Sequence, residues 1–125
     1  MKKAVASGAL ATFLFAGAAY AQPVVYTWTG VGINVVGTSK CPTYKMTIEV
    51  TVDGKEVKGK FLQEGRVERF FQTTLGKNGA IKTAAALGSG NMIDVVGVIN
   101  EAESKIKLDG YCKFEGPLTR KAPGA

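Results

Sequence analysis

The chain has 125 residues, of which 46% are hydrophobic, and it carries 16 basic residues against ten acidic ones and no histidine. This length fits a single domain. The basic residues alternate with apolar ones as on a solvated sheet face, which argues against a dense phosphate-binding patch and against a nucleic-acid partner.

The first 21 residues have the three zones of a secretory signal peptide. Lys2 and Lys3 give a positive start, a nearly uncharged apolar stretch follows, and Ala19-Tyr20-Ala21 supplies small residues around a cleavage point. The stretch is short and rich in Ala and Gly, whereas a spanning helix needs about 20 strongly apolar residues. We expect residues 1–21 to be removed, leaving a periplasmic or secreted domain over residues 22–125 with no membrane span. An uncleaved N-terminal anchor is the alternative.

From Val24 onward the pattern is that of short strands joined by tight turns. Apolar residues recur mostly with period two, β-branched residues are frequent, and Gly, Asn and Asp fall at short intervals. Strands are predicted near Val24–Thr29, Gly32–Val36, Thr43–Val52, Glu56–Leu62, Val67–Leu75, Ala80–Leu87, Met92–Asn100, Lys105–Leu108 and Tyr111–Leu118. The predicted fold is all-β, a single antiparallel up-and-down β-barrel of about eight strands, with a β-sandwich as the alternative.

Turn chemistry predicts the register of three hairpins. Asp53-Gly54 has the composition of a two-residue type I′ loop, which fixes the pairing on either side of it. The same reasoning about loops applies to the hairpins near residues 101–104 and 109–111. The predicted opposite pairs are Val50 with Val57, Ile99 with Ile106, and Leu108 with Cys112. In each hairpin the apolar side chains then share one face, which is the expected inner face.

Cys41 and Cys112 are the only two cysteines, and an even count in an oxidising compartment predicts one disulfide bond. Closing a loop of about 70 residues restricts the unfolded chain by roughly 4 kcal/mol in the entropic model. Tyr44, Tyr111 and Phe114 lie near these cysteines in the predicted fold, and we expect them to pack around the bridge.

The only Trp and one Arg lie at the two ends of the predicted domain, in Tyr26-Thr27-Trp28-Thr29-Gly30 and Leu118-Thr119-Arg120. This arrangement resembles the calycin pattern of lipocalins, avidins and small bacterial metalloprotease inhibitors, in which a first-strand Trp packs near a last-strand Arg at the closed end of an eight-stranded barrel. The resemblance implies structural roles for Trp28 and Arg120. Cys41-Pro42-Thr43-Tyr44 is also similar to an element of small exported bacterial proteins of unassigned function.

The sequence contains no motif that indicates catalysis, a metal or a cofactor. With no histidine and both thiols expected in a disulfide, a Ser or Lys nucleophile has no obvious base. The acidic residues mostly lie on turns or alternate with core residues, which argues against a paired-carboxylate hydrolase. Gly30-Val31-Gly32 lacks the strand-turn-helix context of a phosphate loop. We therefore expect a non-enzymatic protein without a metal or cofactor.

The first binding hypothesis rests on residues 64–71, which contain two Arg and two adjacent Phe. If this segment is a strand, one Phe points outward, and an exposed aromatic residue beside Arg is the composition of interaction hot spots. Arg66, Arg69 and Phe70 are therefore the predicted partner-binding residues. A salt-bridge cluster at the end of a loop, with Phe70 covered by a neighbour, is the alternative.

The second hypothesis is a small apolar ligand inside the predicted barrel, which requires an unfilled cavity. The residues expected to line it are Met46, Ile48, Phe61, Phe71, Ile93 and Val95. Long inner side chains nearly fill an eight-stranded barrel, which argues against much empty volume. The favoured interpretation is an exported protein that engages a protein partner through loops and one barrel edge, and a lipocalin-like ligand carrier is the alternative.

Overall fold

The computed structural model describes residues 22–88 and 90–121, so the predicted signal peptide over residues 1–21 lies outside the described residues. Nine strands follow one another in this part of the chain. They are β1 Val24–Val31, β2 Lys45–Asp53, β3 Glu56–Gln63, β4 Arg69–Thr74, β5 Ala80–Ala86, β6 Met92–Ile99, β7 Ser104–Asp109, β8 Lys113–Pro117 and β9 Thr119–Arg120. Two short 3-10 turns, Cys41–Thr43 and Lys77–Gly79, complete the regular structure.

The strands form two antiparallel sheets. One has the order β9-β1-β2-β3-β4 and the other the order β5-β6-β7-β8. The predicted all-β antiparallel class is therefore confirmed. Neither sheet closes into a barrel, and the two sheets fit the sandwich-like arrangement that the sequence left as the alternative.

The two sheets are joined on one side and separate on the other. The chain crosses from β8 to β9 at Leu118, whose amide donates a hydrogen bond to the carbonyl oxygen of Ser104 at 2.8 Å. Nearby, Ile33 pairs with Lys113 in an isolated antiparallel bridge. On the opposite side β4 and β5 are neighbours, but no ladder pairs them within the part of the chain that the structure describes. We call this side the open seam.

The inner faces of the two sheets pack into one apolar core. The alternation along β2 shows the principle, because Met46, Ile48 and Val50 are buried while the residues between them are not. Period-two patterning is what a strand with one buried face requires. Glycines admit the largest rings: a Cβ on Gly59 would overlap the ring of Phe71, and one on Gly116 would overlap the indole of Trp28. The core is therefore closely packed around these aromatic side chains.

The register predicted for the first hairpin is wrong. Val50 lies opposite Gly59 rather than Val57, and the two-residue loop consists of Gly54 and Lys55. Gly54 has a φ of +66°, so the glycine takes the first loop position, as in a type II′ turn. The pairing is displaced by two residues, and since side chains alternate, every residue stays on its predicted face.

The other two registers are also wrong by two residues. Ile99 lies opposite Ser104 and Leu108 opposite Phe114. Asn100 belongs to the second loop because its Oδ1 accepts hydrogen bonds from the amides of Ala102 and Glu103 at 2.8 and 3.0 Å. In the third hairpin the pairing of Asp109 with Lys113 leaves Cys112 within the loop. The predicted faces are again kept.

The strand predicted over residues 32–36 is wrong as well. Only Ile33 forms a bridge there, and the chain turns at Val35, whose carbonyl oxygen accepts hydrogen bonds from the Thr38 amide and hydroxyl at 2.9 and 2.8 Å. Gly37, with a φ of +90°, completes the turn. Residues 32–44 are therefore a loop that contains one short 3-10 turn.

The connections fall into two sets at opposite ends of the molecule. Residues 32–44, 64–68, 87–91 and 110–112 lie together at what we call the loop end, whereas the connections over residues 54–55, 75–79 and 100–103 lie at the other end. This division follows from the antiparallel meander, in which alternate turns share an end. Any site built from several loops is therefore expected at the loop end.

Candidate functional site

A cavity of about 490 Å³ opens at the loop end, between the ends of the two sheets. This volume lies in the range of small-molecule sites, about 300–1,000 Å³. Its rim includes side chains from all four loops of this end and from the adjoining strand ends, namely Tyr44, Gln63, Arg66, Val67, Leu87 and Tyr111. The cavity is open to solvent on one side.

The wall of the cavity is apolar and belongs to the core. It is formed by Met46 of β2, Phe61 of β3, Ile93 of β6 and Phe114 of β8, each no more than 5% exposed. All four point inward from the strand ends nearest the loops. The cavity thus lies directly above the last buried layer of the core, where the two sheets separate.

The residues predicted to line a ligand cavity divide into two layers. Met46, Phe61 and Ile93 line it, whereas the other three do not. Ile48, Phe71 and Val95 lie at the next inner positions of β2, β4 and β6 and are 5% exposed or less. They close the cavity from below, so the space is a cleft at one end and not a tunnel through the domain.

Arg69 and Arg66 bring two positive charges to the cavity. Arg69 begins β4 opposite Phe61, which places it on the inner face of the sheet, and its guanidinium packs against Gly88. A Cβ on Gly88 would lie 2.7 Å from Nη1 of Arg69, so a side chain at this position would displace the guanidinium. Arg66 lies in the turn after β3, where its amide donates a hydrogen bond to the carbonyl oxygen of Gln63 at 2.8 Å.

Neither arginine has a carboxylate partner within residues 22–88 and 90–121, where the ion pairs involve only Glu49 and Glu103. The described cavity lining also includes no Asp or Glu. Arg66 is exposed to water, whereas Arg69 is half-buried, and a charge partly removed from water is favourable only when an opposite charge or hydrogen-bond acceptors compensate it. The cavity therefore combines an apolar wall with an uncompensated positive rim.

Phe70 is separated from the two arginines with which the sequence grouped it. It lies on the outer face of β4 opposite Lys60, is 64% exposed and does not line the cavity. Arg69 and Phe70 are consecutive in a strand, so they point to opposite sides of the sheet. Arg66 and Arg69 thus share a site, and Phe70 belongs to a different surface.

The disulfide bond between Cys41 and Cys112 holds two of the loops together at this end. The Cα atoms are 5.7 Å apart and both residues are buried, which confirms the predicted bridge. The amide of Cys41 donates to Oδ1 of Asn34 at 3.0 Å, which fixes the loop from its other side. Of the three aromatic residues expected to pack around the bridge, Phe114 is buried and Tyr44 is half-buried, whereas Tyr111 is 67% exposed; all three line the cavity. The bridge therefore shapes one side of the rim.

Exposed apolar side chains are concentrated at the same end. Eight of the nine large apolar residues that the structure describes as exposed lie in the loops of the loop end or within two residues of them. Val36, Val67 and Tyr111 extend furthest into solvent, at 102%, 68% and 67% exposure. Exposed apolar side chains grouped at one end of a domain are typical of interaction surfaces, whereas singly scattered ones are common on any surface.

A second concavity, of about 880 Å³, lies over β6, β7 and β8. Its side chains carry charges of both signs, including Lys105 and Glu115, and Lys105 is already paired with Glu103 at 3.4 Å. This surface is the hollow outer face of a twisted sheet. Ile106 is the one buried side chain of its described lining, whereas four buried apolar side chains form the wall of the cavity at the loop end.

Sequence reasoning missed Gln63, Val67 and Leu87, all of which line the cavity. A usable signal was present, because alternate turns of a meander lie at the same end of the fold. The loops after β3 and β5 were therefore bound to lie at the same end as the two loops that contain Cys41 and Cys112. Sequence patterns did not show how far apart the two sheets would lie.

Comparison with protein-family models, with curated proteins and with solved structures finds no match to this chain. Across residues 22–88 and 90–121 no helix is long and apolar enough to cross a membrane.

Proposed function

We propose that this protein is an exported, non-enzymatic binding protein whose cavity at the loop end takes a small ligand with an apolar body. The observation that carries the proposal is a cavity of about 490 Å³ whose wall is the buried layer of Met46, Phe61, Ile93 and Phe114. Its rim adds the more exposed apolar side chains Val67, Leu87 and Tyr111, and a ligand in the cavity would remove part of their apolar surface from water. The ligand-carrier hypothesis thus gains the stronger support.

A non-enzymatic role is supported by the chemistry of the lining. The chain has no histidine, and the described lining contains no Asp, Glu, Ser or Lys. Its only cysteine, Cys112, is bonded to Cys41. General acid–base and nucleophilic catalysis both need a side chain that exchanges a proton or attacks the substrate, and of the common groups of this kind the described lining holds only the phenols of Tyr44 and Tyr111.

Export is part of the same proposal. The three-zone N-terminal segment supports it, and the disulfide between Cys41 and Cys112 is compatible with it. Mass spectrometry of the protein from fractionated cells tests this proposal. We expect a periplasmic or extracellular chain that begins at Gln22, and a cytoplasmic chain that retains residues 1–21 would contradict it.

We further propose that the two sheets belong to a calycin-like barrel. It is supported by the order of the strands along the chain and by β9, which pairs with β1 and sets Arg120 opposite Tyr26. A barrel requires β4 and β5 to pair across the open seam. Amide hydrogen exchange tests this, since the β4 amides that face the seam would be protected only if a ladder forms there.

Binding of N-phenyl-1-naphthylamine, a neutral fluorescent apolar probe, tests the ligand site. We expect saturable binding of one probe to the wild-type protein. Leu87→Trp places a large side chain at the rim of the cavity and should weaken binding at least tenfold. Val96→Trp makes the same change on the outer face of β6, where Val96 is 40% exposed, and should alter the affinity less than twofold. Absence of binding, or equal loss in both variants, would contradict the proposal.

A protein partner is the second candidate, and the exposed apolar side chains at the loop end favour it. Native mass spectrometry of the protein purified from its own compartment separates the two. A co-purifying small molecule supports the cavity, whereas a co-purifying protein that is lost from a Val36→Ser, Val67→Ser variant supports a partner surface.

A further inference from the structure

The rim of the cavity carries positive charge that nothing in the described part of the chain neutralises. Arg66 and Arg69 both line it, and the ion pairs of residues 22–88 and 90–121 do not include either of them. Most cations in the described part of the chain likewise have no carboxylate partner, since the ion pairs there involve only Lys60, Lys105 and Lys121. What sets the two arginines apart is their position, because both line the cavity.

Resting on the proposed function, we propose that the ligand is an amphipathic acid, whose apolar body lies against the cavity wall and whose single anionic group is bound by Arg66 and Arg69. A guanidinium presents several N–H donors in one plane, which matches the oxygens of a carboxylate, sulfonate or phosphate. Such charge-assisted hydrogen bonds are stronger than neutral ones, particularly in a site that is partly shielded from water.

The position of Arg69 makes it part of a built site. It begins β4 on the inner face of the sheet, directly opposite the buried Phe61, and is itself only half-buried. Its guanidinium packs against Gly88, which has a φ of +77° and leaves room for this contact. The charge is thus held beside the apolar wall and is not spread over the outer surface. An acid bound there would place its charged group at the rim and its hydrocarbon part inward.

The remaining lining limits the class of ligand. The described lining contains no carboxylate, which disfavours amines and metal ions as ligands, and Gln63 supplies one neutral polar group at the rim. The buried wall of Met46, Phe61 and Ile93 offers no hydrogen bonds to a sugar or another highly polar molecule. A ligand with one acidic group on a compact apolar body would match both the two arginines at the rim and the apolar wall.

A pair of probes that differ in one group tests the proposal. The first, 8-anilino-1-naphthalenesulfonate, carries a sulfonate, and N-phenyl-1-naphthylamine is the same arylamine without it. We expect the wild-type protein to bind the sulfonate probe at least about tenfold more tightly than the neutral probe, because one charge-assisted hydrogen bond contributes a difference of this size. Arg66→Gln, Arg69→Gln should remove this preference, so that the affinities of this variant for the two probes lie within twofold of each other.

Two further variants exclude simpler explanations. Lys58→Gln, Lys107→Gln removes the same net charge from the outer faces of β3 and β7 and should keep the preference. Arg66→Lys, Arg69→Lys retains the positive charge and should keep part of the preference for the sulfonate probe. That preference should depend more steeply on salt concentration than in the wild-type protein. Equal binding of both probes by the wild-type protein, or a preference that survives the Gln variant, would overturn the anion proposal alone. If neither probe binds, the proposed function falls with it.

Discussion

Gly59→Ala tests how closely the inner layer of the domain is packed. A Cβ at Gly59 would overlap three atoms of the Phe71 ring, and this ring is 5% exposed. Its centroid is 6.4 Å from that of Phe61, which limits its movement toward β3. Forcing an extra methyl group into a packed core costs about 1–3 kcal/mol. We therefore expect Gly59→Ala to destabilise the protein by about 2 kcal/mol, or roughly 10 °C in Tm.

The assay is urea unfolding followed by the fluorescence of Trp28, the only Trp in the chain. Phe71→Leu alone removes part of the ring and should cost about 1–2 kcal/mol. In the double variant the added methyl group meets a smaller side chain, so the two costs should fall short of additivity by about 1 kcal/mol. Gly76→Ala is the matched control, since its φ is −90° and the nearest atom to a new Cβ is 3.6 Å away.

Spare volume beneath the cavity would give a different result. The Phe71 ring would then move aside, Gly59→Ala would cost no more than the Gly76→Ala control, and the double variant would be additive. That outcome would refute the two-layer description, in which Ile48, Phe71 and Val95 close the cavity from below.

Three other changes probe single contacts. The double variant Cys41→Ser, Cys112→Ser removes the disulfide bond between residues 71 apart in the sequence. It should lower the free energy of unfolding, measured with urea, by about 4 kcal/mol and weaken probe binding, and a loss below about 1 kcal/mol would contradict this. Asn78 has a φ of +59°, so Asn78→Gly should be neutral or stabilising and Asn78→Val should cost about 1 kcal/mol or more in Tm measurements. Lys60→Gln breaks the ion pair between Lys60 and Glu49, whose side chains are 45% and 28% exposed, respectively. Because an ion pair this exposed contributes little, the free energy of unfolding should fall by less than about 1 kcal/mol, and a larger loss at low salt would contradict this.

The sequence predicted the class of the fold because the period-two pattern is strong. Eight of the nine predicted strands correspond to strands of the structure, and residues 32–36 are the exception. That segment has β-branched residues, but the Thr38 side chain and Gly37 turn the chain there. Side-chain hydrogen bonds to the backbone compete with strand formation and do not appear in a hydrophobic pattern.

The hairpin registers show which information the pattern lacks. Alternation fixes the face of each residue, and these faces were right even where the pairing was displaced by two. The pairing itself depends on which residues form the loop. Gly54 could take either central position of a two-residue turn, and Asn100 joins its loop through hydrogen bonds to two amides. Composition alone does not decide between these possibilities.

The site was partly accessible from the sequence. The disulfide and the inner position of Met46, Phe61 and Ile93 followed from residue type and alternation. The cavity did not, because it depends on how far the two sheets separate where β4 faces β5. The assignment of Arg69 to the partner surface followed from its neighbour Phe70, although alternation in β4 directs the two side chains to opposite faces.

NMR titration of isotope-labelled protein with N-phenyl-1-naphthylamine tests the central claim most directly. We expect the largest shift changes at Met46, Phe61, Ile93 and Phe114 and in the loops of the loop end, with turns 54–55 and 100–103 unaffected. Changes centred on the outer face of β6–β8 at Val96 and Lys105, or no changes at all, would contradict a ligand site in the cavity.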